Sequence, residues 1–197
     1  MPYILILVAY LLGSISSAMI TCRAMGLPDP RTTGSHNPGA TNVLRIGGKK
    51  PAIITLLGDM LKGLLPVLLG KLWGLGDFWL FLIGFAALIG HMYPVFYQFK
   101  GGKGVATAIG VYLGIHFWAG VLVCLTWLFV AKVLKISSLS ALIATLLAPL
   151  YFYLFTHNLM LSIGLLFMTA LIWWRHRSNI KRILDGSESV IKRPQKP

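Results

Sequence analysis

Residues 104–134 read "GVATAIGVYLGIHFWAGVLVCLTWLFVAKVL", about 31 residues in which the first charge is Lys132. About 20 residues at 1.5 Å rise cross the hydrocarbon core of a bilayer. The run is therefore too long for one comfortable crossing and short for two, and charge decides between the readings. The other apolar runs lie at roughly 2–22, 51–73, 78–99, 138–155 and 157–174. Between them the basic residues fall into groups: Arg23 to Lys50, Lys100 with Lys103, Lys132 with Lys135, and Arg175 to Lys196. A double crossing that turns near Gly114–His116 gives seven spans and puts all these groups on one side. That side then holds 16 of the 18 Lys and Arg, leaving Lys71 opposite and Lys62 inside a span. A single crossing gives six spans and splits the groups between the two faces. Cytoplasmic loops carry the excess of Lys and Arg. The expected fold is thus an all-α integral membrane protein with seven transmembrane helices, the N-terminus outside and the C-terminus cytoplasmic.

Composition agrees with a membrane solvent. Of 197 residues 56% are hydrophobic and only 12% charged, against about 25% charged in water-soluble domains. A net charge of +13 would suit nucleic acid, but topogenic basic loops explain it without such a partner, and none is expected. Residues 1–22 lack a basic n-region and are followed by further spans, so they read as an anchor and not a cleaved signal. Cys22 and Cys124 form neither a CxxC pair nor a disulfide framework. No fixed-period repeat occurs, and 1–197 reads as a single transmembrane domain with 186–197, "GSESVIKRPQKP", as a loose cytoplasmic tail.

Seven spans place every substantial polar, glycine-rich segment on the cytoplasmic side. The stretch "QFKGGKGVAT" (98–107) has the look of a phosphate cradle. It is not a P-loop, which needs a glycine five residues before its GK pair and Ser or Thr after the lysine; Tyr97 and Gly104 stand there. Gly101, Gly102 and Gly104 would let backbone approach an oxyanion, a helix opening at Gly104 would offer free amides, and Lys103 adds a point charge. His91, in "GHMYPVFY" (90–97), lies close by in the chain. "TTGSHNPGATNVLRIGGKK" (32–50) supplies hydrogen-bonding Ser35, His36, Asn37, Thr41 and Asn42, with Arg45 as a planar fork suited to phosphate. "KISSLSAL" (135–142) opens a span with Ser137 and Ser138, whose plainer role is a helix cap. In "WWRHRSNIKRILDGSE" (173–188), His176 and Asn179 share a face if the last helix continues past the interface. Its later part forms a short amphipathic stretch suited to the membrane surface.

One charged pair lies within a span, Asp59 and Lys62 in "LLGDMLKGLLP". At i, i+3 they can neutralise each other, which matters where a central charge costs ~2.5–3.5 kcal/mol or more. Lys62 could also reach a polar cavity. The acids number five, and no two fall close enough in sequence to suggest a metal site or a carboxylate dyad. Neither the HxxxxD signature of the common glycerolipid acyltransferases nor a GxSxG elbow occurs. No metal, no cofactor and no Asp-backed histidine base are expected. An enzyme built this way works by positioning and by stabilising negative charge, with a substrate phosphate available as base.

Three stretches, "GSHNPGATNVLR" (34–45), "GHMYPVFYQFKGGKGVAT" (90–107) and "HRSNIKRILDGSE" (176–188), together with the early "YLLGSISSAM" (10–19), resemble the acyl-phosphate-dependent glycerol-3-phosphate acyltransferases of bacteria, the PlsY family. The family often has proline where Ser16 stands here. The resemblance runs over the full length and implies seven spans in the bacterial inner membrane, with the motifs facing the cytoplasm. It implies that acyl phosphate, made by a partner phosphate acyltransferase acting on acyl-carrier protein, acylates the 1-hydroxyl of glycerol 3-phosphate to give lysophosphatidic acid and phosphate. On this match Ser35, Arg45 and Lys103, with the backbone of Gly101 to Gly104, bind phosphate groups. His176 and Asn179 orient the glycerol phosphate, and His36 and Asn37 shape the pocket. Ser137 and Ser138 are lesser candidates. Direct transfer is favoured over an acyl-Ser35 intermediate, with the acyl chain in a groove between spans open to membrane lipid. A phosphate-ester transporter is the leading rival, but alternating access rests on paired repeats around a midplane site, whereas these motifs gather on one face. A scaffold would need none of them.

Overall fold

The computed structural model describes residues 1–191, and every described regular element is helical. The first apolar run is two helices, α1 (Pro2–Gly13) and α2 (Ser17–Ala24). The break lies at serines that bond locally: Ser14 Oγ donates to Tyr10 O at 2.9 Å and Ser16 Oγ accepts from Met19 N at 3.4 Å. Such side chains offer the backbone an alternative to the helix ladder. After a loop comes the short α3 (Ala40–Gly47), which Gly48, at φ 81°, separates from the 24-residue α4 (Lys49–Leu72). At 1.5 Å per residue α4 is about 36 Å long, enough to cross the bilayer.

Next, α5 (Asp77–Met92) ends just before Pro94, which opens a single 3₁₀ turn, Val95–Tyr97. Gln98 and Phe99 then take left-handed backbone and turn the chain into the glycine loop. The long run quoted above is two helices: α6 (Val105–Ile115) and α7 (Phe117–Leu134). They divide at His116, whose Nδ1 accepts from Ala119 N and caps α7, within the turn expected at Gly114–His116. The bundle closes with α8 (Ser137–Thr156), α9 (Leu159–Arg175) and α10 (Arg177–Leu184).

Among the described residues five helical stretches are long and apolar enough to cross a membrane, counting α1 with α2 as one; α9 joined to its bent continuation α10 makes a sixth. The 11-residue α6 is shorter than a full crossing. The expected continuation of the last helix is corrected: α10 turns 64° away from α9 at His176, so His176 sits at a corner and not on a straight face.

Water-soluble burial is inverted over much of the surface. Leu65, Leu125, Phe129 and Phe167 are exposed, as a lipid-facing surface requires, while Tyr112, Met92, Leu165 and Met168 fill the interior. Between α4 and α6 the backbones touch. A Cβ on Gly63 would lie 2.2 Å from Thr107 O, and one on Gly110 would lie 2.0 Å from Met60 O. Small residues at such crossings allow the van der Waals contact that drives helix association in lipid. Because α6 is locked to α4, the loop before α6 is held against the end of α5, where Gly102 N meets His91 O.

Candidate active site

Asn42 sets the shape of the first polar segment. It is 1% exposed, and its Oδ1 accepts from Ser35 N at 2.8 Å while Nδ2 donates to Pro30 O at 2.8 Å and Thr33 O at 3.0 Å. The side chain expected to bind substrate is thus committed to holding the 30–35 loop, which places Ser35. On the following helix Thr41 Oγ1 lies 2.9 Å from Ser137 Oγ, linking α3 to the start of α8. One turn further on, Arg45 donates from Nη2 to Ser189 Oγ at 2.8 Å.

A second cluster forms where α8, α10 and the glycine loop meet. Lys103 Nζ donates to Asn179 Oδ1. Asn179 Nδ2 donates in turn to Glu188 Oε1 at 2.7 Å, Ser138 Oγ donates to the same oxygen at 2.8 Å, and Arg182 Nε donates to Glu188 Oε2 at 2.7 Å. Burial favours the protonated Glu188, but the hydrogen bonds from Asn179, Ser138 and Arg182 outweigh it and hold the carboxyl below its usual range. Burial, reinforced by the Arg182 charge, lowers Lys103 to about 8. His176 is 4% exposed, and its Nδ1 meets Ile172 O at 2.8 Å. A carbonyl only accepts, so Nδ1 carries a proton, and whenever the ring is neutral Nε2 is its acceptor.

The tail expected to be loose is corrected over its described part. Besides the Glu188 and Ser189 contacts, Ile191 N donates to Lys135 O at 2.7 Å, so residues 186–191 strap across α3, α8 and α10. The reason is electrostatic: Glu188 is the acid within reach of this cationic cluster. Residues 192–197 of that expected tail lie outside the described residues.

Beneath the glycine loop runs a third group. Lys62 Nζ lies 2.8 Å from Asp59 Oδ1 and donates to Ile15 O at 2.7 Å, a carbonyl near the α1–α2 break. His91 Nδ1 lies 3.7 Å from the same carboxylate oxygen. An aspartate does therefore stand beside a histidine, contrary to the expectation from spacing. The fold brings α4 and α5 together where no sequence signature could. Gly102 N donates to His91 O at 3.1 Å, and a Cβ on Gly102 would sit 2.3 Å from His91 Nε2. The loop is glycine here so that it can lie flat on His91.

These groups surround one cavity of about 380 Å³. Ser35, Asn37, Thr41, Asn42, Arg45, His91, Lys103, Gly104, Ser137, Ser138, His176 and Asn179 all line it. Four expected residues do not. His36, in left-handed backbone at φ 56°, turns outward with Nδ1 3.2 Å from Arg31 O. Lys62 stands behind Asp59, and Gly101 and Gly102 support the loop from outside the lining. The lining also includes Asp59, Lys49, Arg182 and Glu188. Glu188 was legible only as the last residue of the third quoted stretch (176–188), with no role assigned to it. The far wall is apolar, with Met60, Ile109, Cys124 and Trp127, and three of its side chains, Ile53, Leu56 and Leu128, are also exposed on the lipid-facing surface. A cationic mouth and a lipid-open wall can hold a phosphate and a fatty chain in one chamber.

Residues 3–186 match the family model for glycerol-3-phosphate acyltransferase. The chain belongs to the glycerol-3-phosphate acyltransferase family. Curated members include the glycerol-3-phosphate acyltransferase of Hydrogenovibrio crunogenus, 60% identical over 94% of this chain and 89% of that protein, and that of Thioalkalivibrio sulfidiphilus, 56% identical over 95% and 92%. Among solved structures, the fold is similar to PlsY (YgiH), an integral membrane glycerol 3-phosphate acyltransferase. Its glycerol 3-phosphate form has a TM-score of 0.92 at 38% identity, covering 97% of this chain and 96% of that one. Its lysophosphatidic acid form has a TM-score of 0.89, also at 38% identity, covering 96% and 94%. The motifs quoted at the outset all fall within residues 3–188, nearly all of that span inside the match to the glycerol-3-phosphate acyltransferase family.

Proposed function

We propose that the chain transfers a fatty acyl group from acyl phosphate to the 1-hydroxyl of glycerol 3-phosphate, the first acylation of phospholipid synthesis. One observation carries this reading: a single cavity joins the Arg45, Lys103, His176 and Asn179 mouth to a wall of Met60, Ile109, Cys124 and Trp127. The related PlsY structures with glycerol 3-phosphate and lysophosphatidic acid support both ends of that assignment. Arg45 grips one phosphate through its planar fork, and Lys103, steered by Asn179, meets phosphate as a point charge. Ser35 and Asn37 donate from the α3 loop. His176 Nε2 accepts from a glycerol hydroxyl and orients it.

Acyl phosphate is already activated, so alignment and charge stabilisation do the rest. The 1-hydroxyl oxygen bonds to the acyl carbon, and the bond from that carbon to the phosphate oxygen breaks. The hydroxyl proton passes to a phosphate oxygen, leaving lysophosphatidic acid and inorganic phosphate. No acyl-Ser35 stage is needed. The reading includes α6 as a seventh, short span, an outside N-terminus, a cytoplasmic mouth in the bacterial inner membrane, and supply of acyl phosphate by a phosphate acyltransferase.

The test is turnover by the purified protein in detergent with labelled glycerol 3-phosphate, giving palmitoyl phosphate or palmitoyl-CoA in parallel. Labelled lysophosphatidic acid from the phosphate donor alone is the expected result. Product from the CoA thioester instead would overturn the donor, and a covalent acyl group on Ser35 trapped by mass spectrometry would overturn direct transfer.

A further inference from the structure

Arg175 ends α9 directly before the bend at His176. A basic residue at that place ordinarily serves topology and points to water. This one does not. Its Nη2 donates to Gly101 O at 2.9 Å and to Gly102 O at 3.1 Å, its Nε approaches Gly102 O at 3.3 Å, and its guanidinium lies 5.2 Å from the centre of the Tyr93 ring. Tyr93 is itself pinned, since its carbonyl accepts from Tyr10 OH at 3.0 Å. Arg175 does not line the cavity.

Two consequences follow from this placement. The carbonyl oxygens of Gly101 and Gly102 are turned onto a cation and away from an anion's seat, where they would repel phosphate. The segment carrying His176 and Asn179 is also tied to the loop carrying Lys103, across more than 70 positions of chain. We propose that Arg175 is a positioning residue that sets the register of Lys103 against His176 and Asn179 by gripping the glycine-loop carbonyls. The planar fork holds Gly102 O from two nitrogens while Nη2 also reaches Gly101 O, and its plane lies over Tyr93; lysine offers a point charge on a flexible stem without that fixed geometry. The inference rests on the acyltransferase reading above, because register matters only if both segments act on one substrate.

The experiment compares wild type, Arg175→Gln and Arg175→Lys as full chains in detergent. It uses whichever acyl donor the wild type turns over, so a wrong donor assignment leaves this test intact. Melting temperature, kcat, and KM for each substrate are measured, together with the Lys103 titration midpoint by NMR of ¹³C-methylated lysines, assigned with Lys103→Arg. Misplacement of a binding group by about 1 Å can cost 10²-fold. Arg175→Gln is expected to lower kcat/KM for glycerol 3-phosphate by roughly 10- to 100-fold and to move the Lys103 midpoint, with little change in KM for the acyl donor. Arg175→Lys should recover only part of the loss. Wild-type kinetics with an unmoved midpoint would overturn the proposal. So would an equal loss toward both substrates that tracks a lowered melting temperature, or full recovery by lysine.

Discussion

Asn179 donates to Glu188 at 2.7 Å while its other amide atom accepts from Lys103. That orientation fixes which way the amide faces: were it flipped, its nitrogen would meet the Lys103 ammonium and its oxygen the carboxylate. Glu188 therefore decides the hand that Asn179 offers Lys103. Replacing Glu188 with Ala leaves Asn179, Ser138 and Arg182 without their common acceptor. The expected cost is about 1–3 kcal/mol, read as a lower melting temperature in detergent, with a raised KM for glycerol 3-phosphate. Unchanged melting and KM would show that the 186–191 strap is dispensable.

The titration of Lys103 gives a pH signature with a definite sign. With its pKa lowered to about 8 in the free protein, the ammonium is complete below that pH and lost above it. Phosphate monoesters have finished their second ionisation well below, near pH 6. Affinity for glycerol 3-phosphate should therefore fall as pH rises from 7 to 9 (roughly one to either side of that pKa). Binding near pH 8 should take up protons, measurable by calorimetry in buffers of different ionisation enthalpy. Lys103→Arg, charged throughout this range, should flatten the pH profile even if its absolute affinity is poorer. A wild-type KM that is flat over the same interval would remove Lys103 from the phosphate site.

Arg45 and Asn42 lie three positions apart on α3, and their substitutions should part company. Arg45→Ala removes a charge-assisted contact of roughly 1.5–3 kcal/mol and should raise a substrate KM about 10- to 100-fold with little effect on melting. Asn42→Ala orphans Ser35 N and the carbonyls of Pro30 and Thr33. Its first effect should be on folding yield and melting temperature, with activity lost in proportion. The pair of variants, run in one melting and kinetics series, tells binding from scaffolding.

Gly104 takes φ 87° at the start of α6, and a Cβ there would meet Leu88 Cδ1 at 2.4 Å and Met92 Cε at 2.7 Å. Gly104→Ala is strained in backbone and in space, and should cost upwards of about 1 kcal/mol while displacing the adjacent Lys103. Gly74 is also left-handed, at φ 71°, but has nothing within 4 Å. Gly74→Ala suffers only the backbone penalty and should keep wild-type KM values, measured beside Gly104→Ala.

Much of this was legible in the chain because it is local. The glycine loop follows from neighbouring residues, the break at His116 from run length and the distribution of charge, and the three polar segments carry a family's motifs. Ser137 and Ser138, whose plainer role was a helix cap, do not cap α8: Ile136 is its N-cap, and their hydroxyls meet Thr41 and Glu188. What stayed hidden depends on distance through space. Asp59 beside His91 needs α4 packed on α5, and the grip of Arg175 on Gly101 and Gly102 needs the end of α9 to reach a loop far earlier in the chain. Glu188 was set aside with a polar terminal segment because spacing does not show that the chain folds back along α10, bonds Asn179 and Arg182, and reaches Ser138 on α8. His36 misled for the opposite reason: the motif supports it, but left-handed backbone turns it outward.

The cavity wall shared with the lipid-facing surface, at Ile53, Leu56 and Leu128, has a bearing on traffic. On the proposed reaction, one reactant enters this chamber from water and the other from the membrane, and the two products differ in the same way. Phosphate would then leave by the door that glycerol 3-phosphate entered, and the new lipid would slip sideways into the leaflet that supplied its chain without crossing an aqueous phase.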